Sequence, residues 1–571
     1  MIQKNQLALL LNYNTYSGLK VTPFLLNITN IVIFLYFFKI ILIYLNFSLV
    51  YLNKFIAYFL FEITNFSFLI SIILLCLGFL KIIFIENFKL FEIKKYSIFF
   101  CINLMSFFFF NFFSISKLYY SYYLIYSFSW YGTFLNIEYL LGLDPLSFIF
   151  IILTLFLIPI CLVISWKNIY YNTKYFFIIF IILEILLINV FCAIDILLFY
   201  IAFESILIPM YFLVGYWGSR ERRMHAAFQF FLYTLGGSLF LLFALIFCQL
   251  NYGSTNLFLL INLSFSPYRE LILWVCFFFA FAVKIPLMPV HIWLPEAHVE
   301  SATGGSVALA GILLKLGTYG VLRFLMPLFP FGSIFFTPFI YLISVLGVFF
   351  SSLTTLRQID LKKIIAYSSI IHMNYLMFGL FSFNIEGLLG SIILMIAHGF
   401  VSGGLFVCVG ILYDRYHTRL QKPYGGLNYF MPVFSLFFLI FTLANISFPG
   451  SINFIGEFFV LLGIFFKNIL IGIFLMFLMI FSTCYALWLY NKIFSGLIIL
   501  NKYNLKIFLN GFLFKKLKFF RFFLVNYTDL NIREFFSLVY LLVPVFYFGF
   551  KPLYLMDIIE LQFLIFLTLQ N

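Results

Sequence analysis

Charge is scarce in this chain, and acidic charge most of all. Only 9% of its 571 residues are Asp, Glu, Lys or Arg, 20 acidic against 34 basic, while 65% are hydrophobic. Soluble domains carry about 25% charged residues, so a soluble globular fold is excluded. Polar–apolar alternation is missing too. A transmembrane β-barrel would show it in segments of about ten residues, and here the apolar runs are continuous. The six histidines lack HxxxH or HxxEH spacing. The cysteines (Cys76, Cys101, Cys161, Cys192, Cys248, Cys276, Cys408, Cys484) lack metal, haem or iron–sulfur spacing. No metal site and no electron transfer are therefore expected within this chain. The N-terminus lacks the Arg-rich, amphipathic character of a cleaved transit peptide.

What is present is apolar length. Runs near 24–52, 66–85, 97–115, 146–166, 175–193, 195–217, 226–250, 270–291, 303–326, 336–356, 361–381, 386–412, 430–466, 469–494 and 535–550 predict about fifteen membrane-spanning helices. The fold class is all-α and polytopic. The excess of basic residues sits in short loops and flanks, such as Arg220 to Arg223, Lys362–Lys363 and Lys515 to Lys518. That is the positive-inside pattern and calls for no nucleic acid. Enrichment in Phe (88 residues), Ile, Tyr, Asn and Lys points to an A+T-rich, organelle-type coding sequence.

Against this background each buried ionisable residue needs a reason, because a charge at the bilayer centre costs about 2.5–3.5 kcal/mol on insertion scales. Residues 277–323 concentrate them. Lys284 and Lys315 flank two prolines in an apolar run, Pro286 and Pro289, and two histidines, His291 and His298. Proline opens a helix and frees backbone groups. A buried lysine loses affinity for its proton and regains it beside a carboxylate, and Glu204 in the preceding ionisable run supplies one. His372 and His398 lie in later apolar runs, and each histidine is either a relay member or a satisfied polar group. The 430–466 run is too long for one straight span; Pro449-Gly450 predicts a break, and Glu457 follows it. Glu184 is a weaker candidate. Asp144 and Asp195 fit helix caps, Asp360, Lys362 and Lys363 mark a loop and helix entry, and the Tyr413–Arg419 segment fits orientation or subunit contact. One ionisable helix and one interrupted helix in each half suggest two internal repeats.

FESILIPMYFLVGYWG, FAVKIPLMPVHIWLPEAHVESATGGSVALAGILLKLGTYG, DLKKIIAYSSIIHMNY, AHGFVSGGLFVCVGILYDRYHTR and FPGSINFIGEF, with LGLDPLSFIFIILTLFLIPI before them, carry a family likeness. Together they resemble the antiporter-like subunits 4 of respiratory complex I, the proton-pumping NADH:ubiquinone oxidoreductase. The likeness covers roughly 135–500 and resumes near 540–560, and LYDRYHTR favours subunit 4 over its sisters.

The resemblance implies about fourteen core transmembrane helices with two inverted five-helix repeats containing broken helices. One extra N-terminal helix is expected besides. The matching site residues are Glu204, Lys284, Lys315, His372, His398 and Glu457, to which His291 and His298 are added from the residue reading. NADH, FMN, iron–sulfur clusters and ubiquinone would belong to other subunits, leaving no cofactor in this chain. Expected partners are the sister antiporter-like membrane-arm subunits and lipids. The expected location is the mitochondrial inner membrane, or a bacterial plasma membrane.

The expected division is an extension at 1–60, N-terminal helices at 61–174, repeats at 175–326 and 336–494, a basic and aromatic insertion at 501–534, and a last helix with an interfacial tail at 535–571. A cation/proton antiporter using the same Glu–Lys pair is the alternative, and an inactive scaffold a third class.

Overall fold

The computed structural model describes residues 137–263, 265–496 and 528–559, the strand 124–131, and the isolated positions 94, 97, 98 and 101. All belong to one unit, Ile82–Asn571. The runs at 24–52 and 66–85 and nearly all of 97–115 lie outside the described residues, as do most of the 501–534 segment and the end of the tail.

The fold is mostly helical, but it opens on a feature that the all-α expectation missed. Strands β1 (Leu124–Tyr131) and β2 (Ile137–Leu143) pair antiparallel, Leu124 opposite Leu143. The run LIYSFSWY is rich in aromatics and alternates with serine, which suits a strand; it lies between the runs 97–115 and 146–166, where no element was expected. The hairpin is tied to the next helix pair by a bond from Ile194 N–H to Leu140 O at 3.1 Å.

The helices follow in chain order. They are α1 (Pro145–Ile164), α2 (Thr173–Cys192), α3 (Ile196–Gly215), α4 (Arg223–Tyr252), α5 (Pro267–Lys284), α6 (Trp293–Glu300) and α7 (Thr303–Leu328). Then come α8 (Thr337–Arg357), α9 (Leu361–Leu380), α10 (Ile385–Tyr416), α11 (Pro432–Asn445), α12 (Ile452–Lys467), α13 (Ile469–Phe494) and α14 (Ile532–Phe550). Among the described residues, nine helices are long and apolar enough to cross a membrane.

Local chemistry sets the boundaries. Asp144 caps α1 reciprocally with Ser147, and Pro145 occupies the first turn, where no N–H is needed. Asp195 caps α3 by accepting from Leu197 N–H at 2.9 Å. Both acids therefore cap as expected, but Asp144 also accepts from buried Arg323 on α7 at 2.5 Å. The expected helix over 270–291 stops at Lys284, ahead of Pro286 and Pro289. The indole N–H of Trp293, opening α6, donates to Val283 O at 2.9 Å and takes up one carbonyl freed by the break.

The expected break at Pro449-Gly450 separates α11 from α12. Gly450 sits at φ +95°, where any side chain would be strained. Helix α14 begins at Ile532, not after 534, because Asn531 and Glu534 form a capping box. The last residues of the supposed insertion are thus structural. Arg415 on α10 donates to Glu534 at 2.6 Å and to Asp529 O at 3.0 Å, so this arginine is engaged within the chain.

Helices α7 and α10 are buried along their apolar lengths and form the centre of the bundle. On α4 and α13, Leu232, Phe243, Leu470 and Phe477 face outward, as lipid-facing positions do. Loop contacts sort the helix ends into two faces. One face joins Asn168 to Asp414 (2.7 Å), Arg220 to Asp360 (3.6 Å), Lys363 to Glu296 (2.9 Å) and Arg415 to Glu534. The other carries the hairpin, the Asp144–Arg323 pair and the Asp195–Thr255 contact. The first is the basic face.

Candidate functional site

Two groups of ionisable side chains are held inside the bundle. The first lies where α3, α4 and α5 meet. Lys284 is the last helical residue of α5, buried, with Nζ 4.3 Å from the centre of the Phe203 ring. Glu204, half-buried on α3, faces Lys284 and the Ser238 hydroxyl of α4. One of its carboxylate oxygens is buried without a hydrogen-bond partner among the described residues. The pair interacts through space rather than by a closed ion pair, because no described Lys–Glu contact within 4 Å joins them. A cation over an aromatic face retains some stabilisation while it lacks a carboxylate.

The second group forms a row. Lys315 lies at the middle of α7 between two π-helical turns, Leu309–Leu313 and Val321–Leu325. Such turns release carbonyls from regular pairing, and Lys315 Nζ donates to Ala310 O at 2.5 Å. The same Nζ lies 2.8 Å from Nδ1 of His398 on α10. The His398 and His372 rings are 5.6 Å apart, centre to centre. His372, on α9, has Nε2 3.0 Å from Asn445 Oδ1 and Nδ1 3.1 Å from Glu457 Oε1. The latter is a close charge contact without hydrogen-bond alignment. Tyr485 of α13 faces Glu457, Asn445 and Ser368. All four members of the row are buried.

Glycine permits this proximity. A Cβ on Gly317 would stand 2.6 Å from Ile285 Cγ1 and 3.1 Å from Phe281 O. Helix α7 therefore lies against the broken end of α5 only because residue 317 has no side chain.

The remaining candidates fall elsewhere. His298 is fully buried on α6, stacked on Phe406 with centroids 4.6 Å apart and planes 9° apart. Neither ring nitrogen has a hydrogen-bond partner among the described residues. His291 lies in the irregular segment between α5 and α6, half-buried and beside the Pro289 backbone. No described hydrogen bond or ion pair joins it to the other candidates. Glu184 is buried on α2, where it accepts from the Cys101 thiol at 3.1 Å. Lys362 stands at the helix entry, as expected, but is buried in the first turn of α9, donating to Ser301 O at 2.8 Å. Nor does any described hydrogen bond or ion pair bridge the Glu204–Lys284 group and the Lys315 row.

Sequence reasoning missed Asn445, Tyr485, Phe203 and Ser238. Asn445 alone had a signal, a polar residue in an apolar run just before the break. Among the described residues no cluster of His, Cys, Asp or Glu could hold a metal ion.

Comparison with known proteins agrees with this architecture. Residues 193–483 match the family described as NADH:quinone oxidoreductase/Mrp antiporter, transmembrane. The chain is 52% identical to NADH-ubiquinone oxidoreductase chain 4 of Arabidopsis thaliana over 422 residues, 74% of this chain and 81% of that one. It is 45% identical to the chain of the same name from Acanthamoeba castellanii over 448 residues, 78% and 86% of the two. Respiratory complex I from Thermus thermophilus superposes with a TM-score of 0.72 at 26% identity, covering 82% of this chain and 94% of that one. A chain of the Mrp complex from Dietzia shares the fold alone, with a TM-score of 0.71 at 18% identity over 86% of this chain and 51% of that one. A matched segment spanning the broken helices and both buried groups, together with relatives near half identity over most of their length, decides the matter: the chain belongs to the NADH:quinone oxidoreductase/Mrp antiporter family, among the complex I chain 4 proteins.

Proposed function

We propose that this chain is a membrane-arm subunit of proton-pumping NADH:ubiquinone oxidoreductase in the mitochondrial inner membrane, moving protons along its buried Glu, Lys and His side chains. The observation that carries the reading is the row Lys315–His398–His372–Glu457. It strings four titratable groups through a core with no lipid-facing member, at separations that direct contact or one bridging water spans.

Redox chemistry belongs to other subunits, which hold NADH, FMN, iron–sulfur clusters and ubiquinone; this chain supplies proton transfer. Its neighbours are the sister antiporter-like subunits and lipid. Two five-helix repeats of inverted sense, within 175–326 and 336–494, fit the two broken helices α5–α6 and α11–α12. These belong to a core of about fourteen spans with one further N-terminal helix, the count that the family resemblance implies. By the positive-inside rule the basic face is the matrix side.

Glu204 tunes Lys284. When the carboxylate approaches, the ammonium is stabilised; when it withdraws, the apolar surroundings favour release, and the Phe203 face retains only part of the lost stabilisation. The proton released reaches the row at Lys315, and Glu457, past the second break, hands it toward the opposite face. Moving one charge against the membrane potential costs about 2.3 kcal/mol per 100 mV. A change of a few Å in a weakly screened Glu–Lys pair is of that order.

The test is Glu204→Gln in membranes whose complex has been shown to assemble. NADH-driven proton uptake and quinone-coupled turnover should fall together. Unchanged pumping at native rate would remove Glu204 from the path. A cation/proton antiporter would instead exchange sodium for protons without NADH-oxidising subunits, so sodium flux in the same vesicles separates the two.

A further inference from the structure

Outside the row and the Glu204–Lys284 pair, a further set of buried charges runs inward from the basic face. Its outer members are the Arg220–Asp360 and Lys363–Glu296 pairs. The Arg220 side chain is 42% exposed and that of Glu296 31%. Behind them lies Glu300, only 2% exposed, with one carboxylate oxygen that has no hydrogen-bond partner among the described residues. Glu300 is surrounded by Arg419, Arg220, Glu296 and Lys362.

Arg419 is tied down by bonds to Val299 O and the Ser219 hydroxyl, and it stands 4.5 Å over the Tyr413 ring. It lies in the loop after α10, where burial pushes its guanidinium below the ordinary value. Lys362 is 1% exposed and is reached by Arg419, Asp414, Glu300 and Arg220. Exposure therefore falls steadily from Arg220 to Lys362, as along a funnel.

The funnel ends at His298. This ring lies within electrostatic reach of both Lys362 and Lys315, and His398 in turn lies within reach of His298. Lys362 touches the same chain turn, since its Nζ donates to Ser301 O and the Ser301 hydroxyl donates to His298 O at 3.2 Å. A fully buried imidazole with two unpaired nitrogens is costly for a purely structural part. The ring is stacked on Phe406 within electrostatic reach of two lysines, and its two unpaired nitrogens suit it to accept on one and donate from the other.

We propose that Glu300 and Lys362 form a second proton inlet from the basic face, feeding the Lys315–His398 contact through His298 and bypassing Glu204 and Lys284. The proposal rests on the reading that the Lys315–Glu457 row carries protons. The carboxylate of Glu300 takes a proton from solvent at the Arg220–Glu296 mouth and passes it to neutral Lys362. The Lys362 ammonium donates it, directly or across a water, to His298. His298 releases a proton to His398, and Lys362 is left neutral for the next. A structural Lys362 would only bond the C-terminal carbonyl of α6, a task that arginine performs equally well. Arginine cannot give up its proton, so substitution separates the two roles.

The experiment compares Lys362→Arg and Glu300→Ala with Glu457→Gln in assembled complex, reading NADH-driven proton uptake and quinone-coupled turnover. Because the Glu204–Lys284 group still feeds the row, Lys362→Arg lowers uptake in part, and joined to Glu204→Gln it lowers uptake by about tenfold or more relative to Glu204→Gln alone, within the range for general acid–base groups. Glu300→Ala should slow likewise and recover when formate is added on the basic side, because a small diffusible acid replaces a proton donor and not a packing contact. If Lys362→Arg assembles poorly, formate rescue of Glu300→Ala decides alone. Native rates in Lys362→Arg with pumping lost in Glu457→Gln would overturn the inlet and leave the row standing. Native pumping in all three would overturn the row itself, and the inlet with it. A slowed Glu300→Ala that formate does not restore also overturns the inlet.

Discussion

His372 meets Glu457 across two helices, Nδ1 to Oε1, at 3.1 Å, while its other nitrogen faces Asn445. The imidazole is thereby held between an acid and an amide, and any proton passing along the row to Glu457 has this ring as its neighbour. His372→Phe keeps an aromatic ring but removes both nitrogens. Proton uptake in assembled complex should fall by about tenfold or more, with Asn445→Ala showing a smaller loss. Uptake at the native rate in His372→Phe would show that the ring only packs.

Lys315→Met removes the partner of His398 Nδ1 and the donor to Ala310 O. Loss of a hydrogen bond is worth about 0.5–1.5 kcal/mol, and the relay loses its central member as well. Turnover should fall sharply while native gels still show the complex, since methionine fills similar volume. Retained turnover would place the proton path away from α7.

Gly317 allows α7 to lie against the end of α5 with no room for a side chain. Gly317→Leu must push Ile285 and the Phe281 carbonyl aside, and overpacking of this kind costs about 1–3 kcal/mol. We expect a lower yield of assembled complex and slower turnover in what remains, because Lys284 and Lys315 are moved apart. Normal yield and rate would mean that the contact yields more easily than the backbone atoms around it suggest.

Arg415 holds α14 through Glu534 and the Asp529 carbonyl, in a largely buried pair. Removing one partner of a buried pair costs about 3–5 kcal/mol. Arg415→Ala should therefore lower assembled complex and make the region near 528–532 more open to protease. The double change with Glu534→Ala should recover part of the loss. No difference between single and double variants would argue that the ion pair contributes little.

The ionisable residues of the site were legible because each interrupts an apolar run, and Glu204, Lys284, Lys315, His298, His372, His398 and Glu457 all lie inside the bundle. The broken helices were legible too, from Pro286 and from Pro449-Gly450. The partners were not. Asn445 and Tyr485 reach the row only through the packing of α11 and α13, and no local spacing encodes that. Lys362 was legible as a helix entry, but its burial against Ser301 at the end of α6 depends on packing that no local spacing encodes. His291 followed the proline run in sequence, but the helix had already ended at Lys284, so it stands outside the row. Strand β1 was missed because its eight residues lie between the apolar runs and are too few to stand out as a span.

The buried Asp144–Arg323 pair joins positions 179 residues apart, the start of α1 and a π turn of α7. During synthesis the aspartate emerges long before its arginine. Helix α7, carrying Arg323, cannot wait in lipid alone without the penalty of an unpaired charge. Docking against α1 as it leaves the insertion machinery would remove that penalty. The order of membrane insertion is thus written into this contact, and Asp144→Asn should slow the integration of α7 before it alters any finished complex, a delay that arrested-chain crosslinking between the two helices would detect.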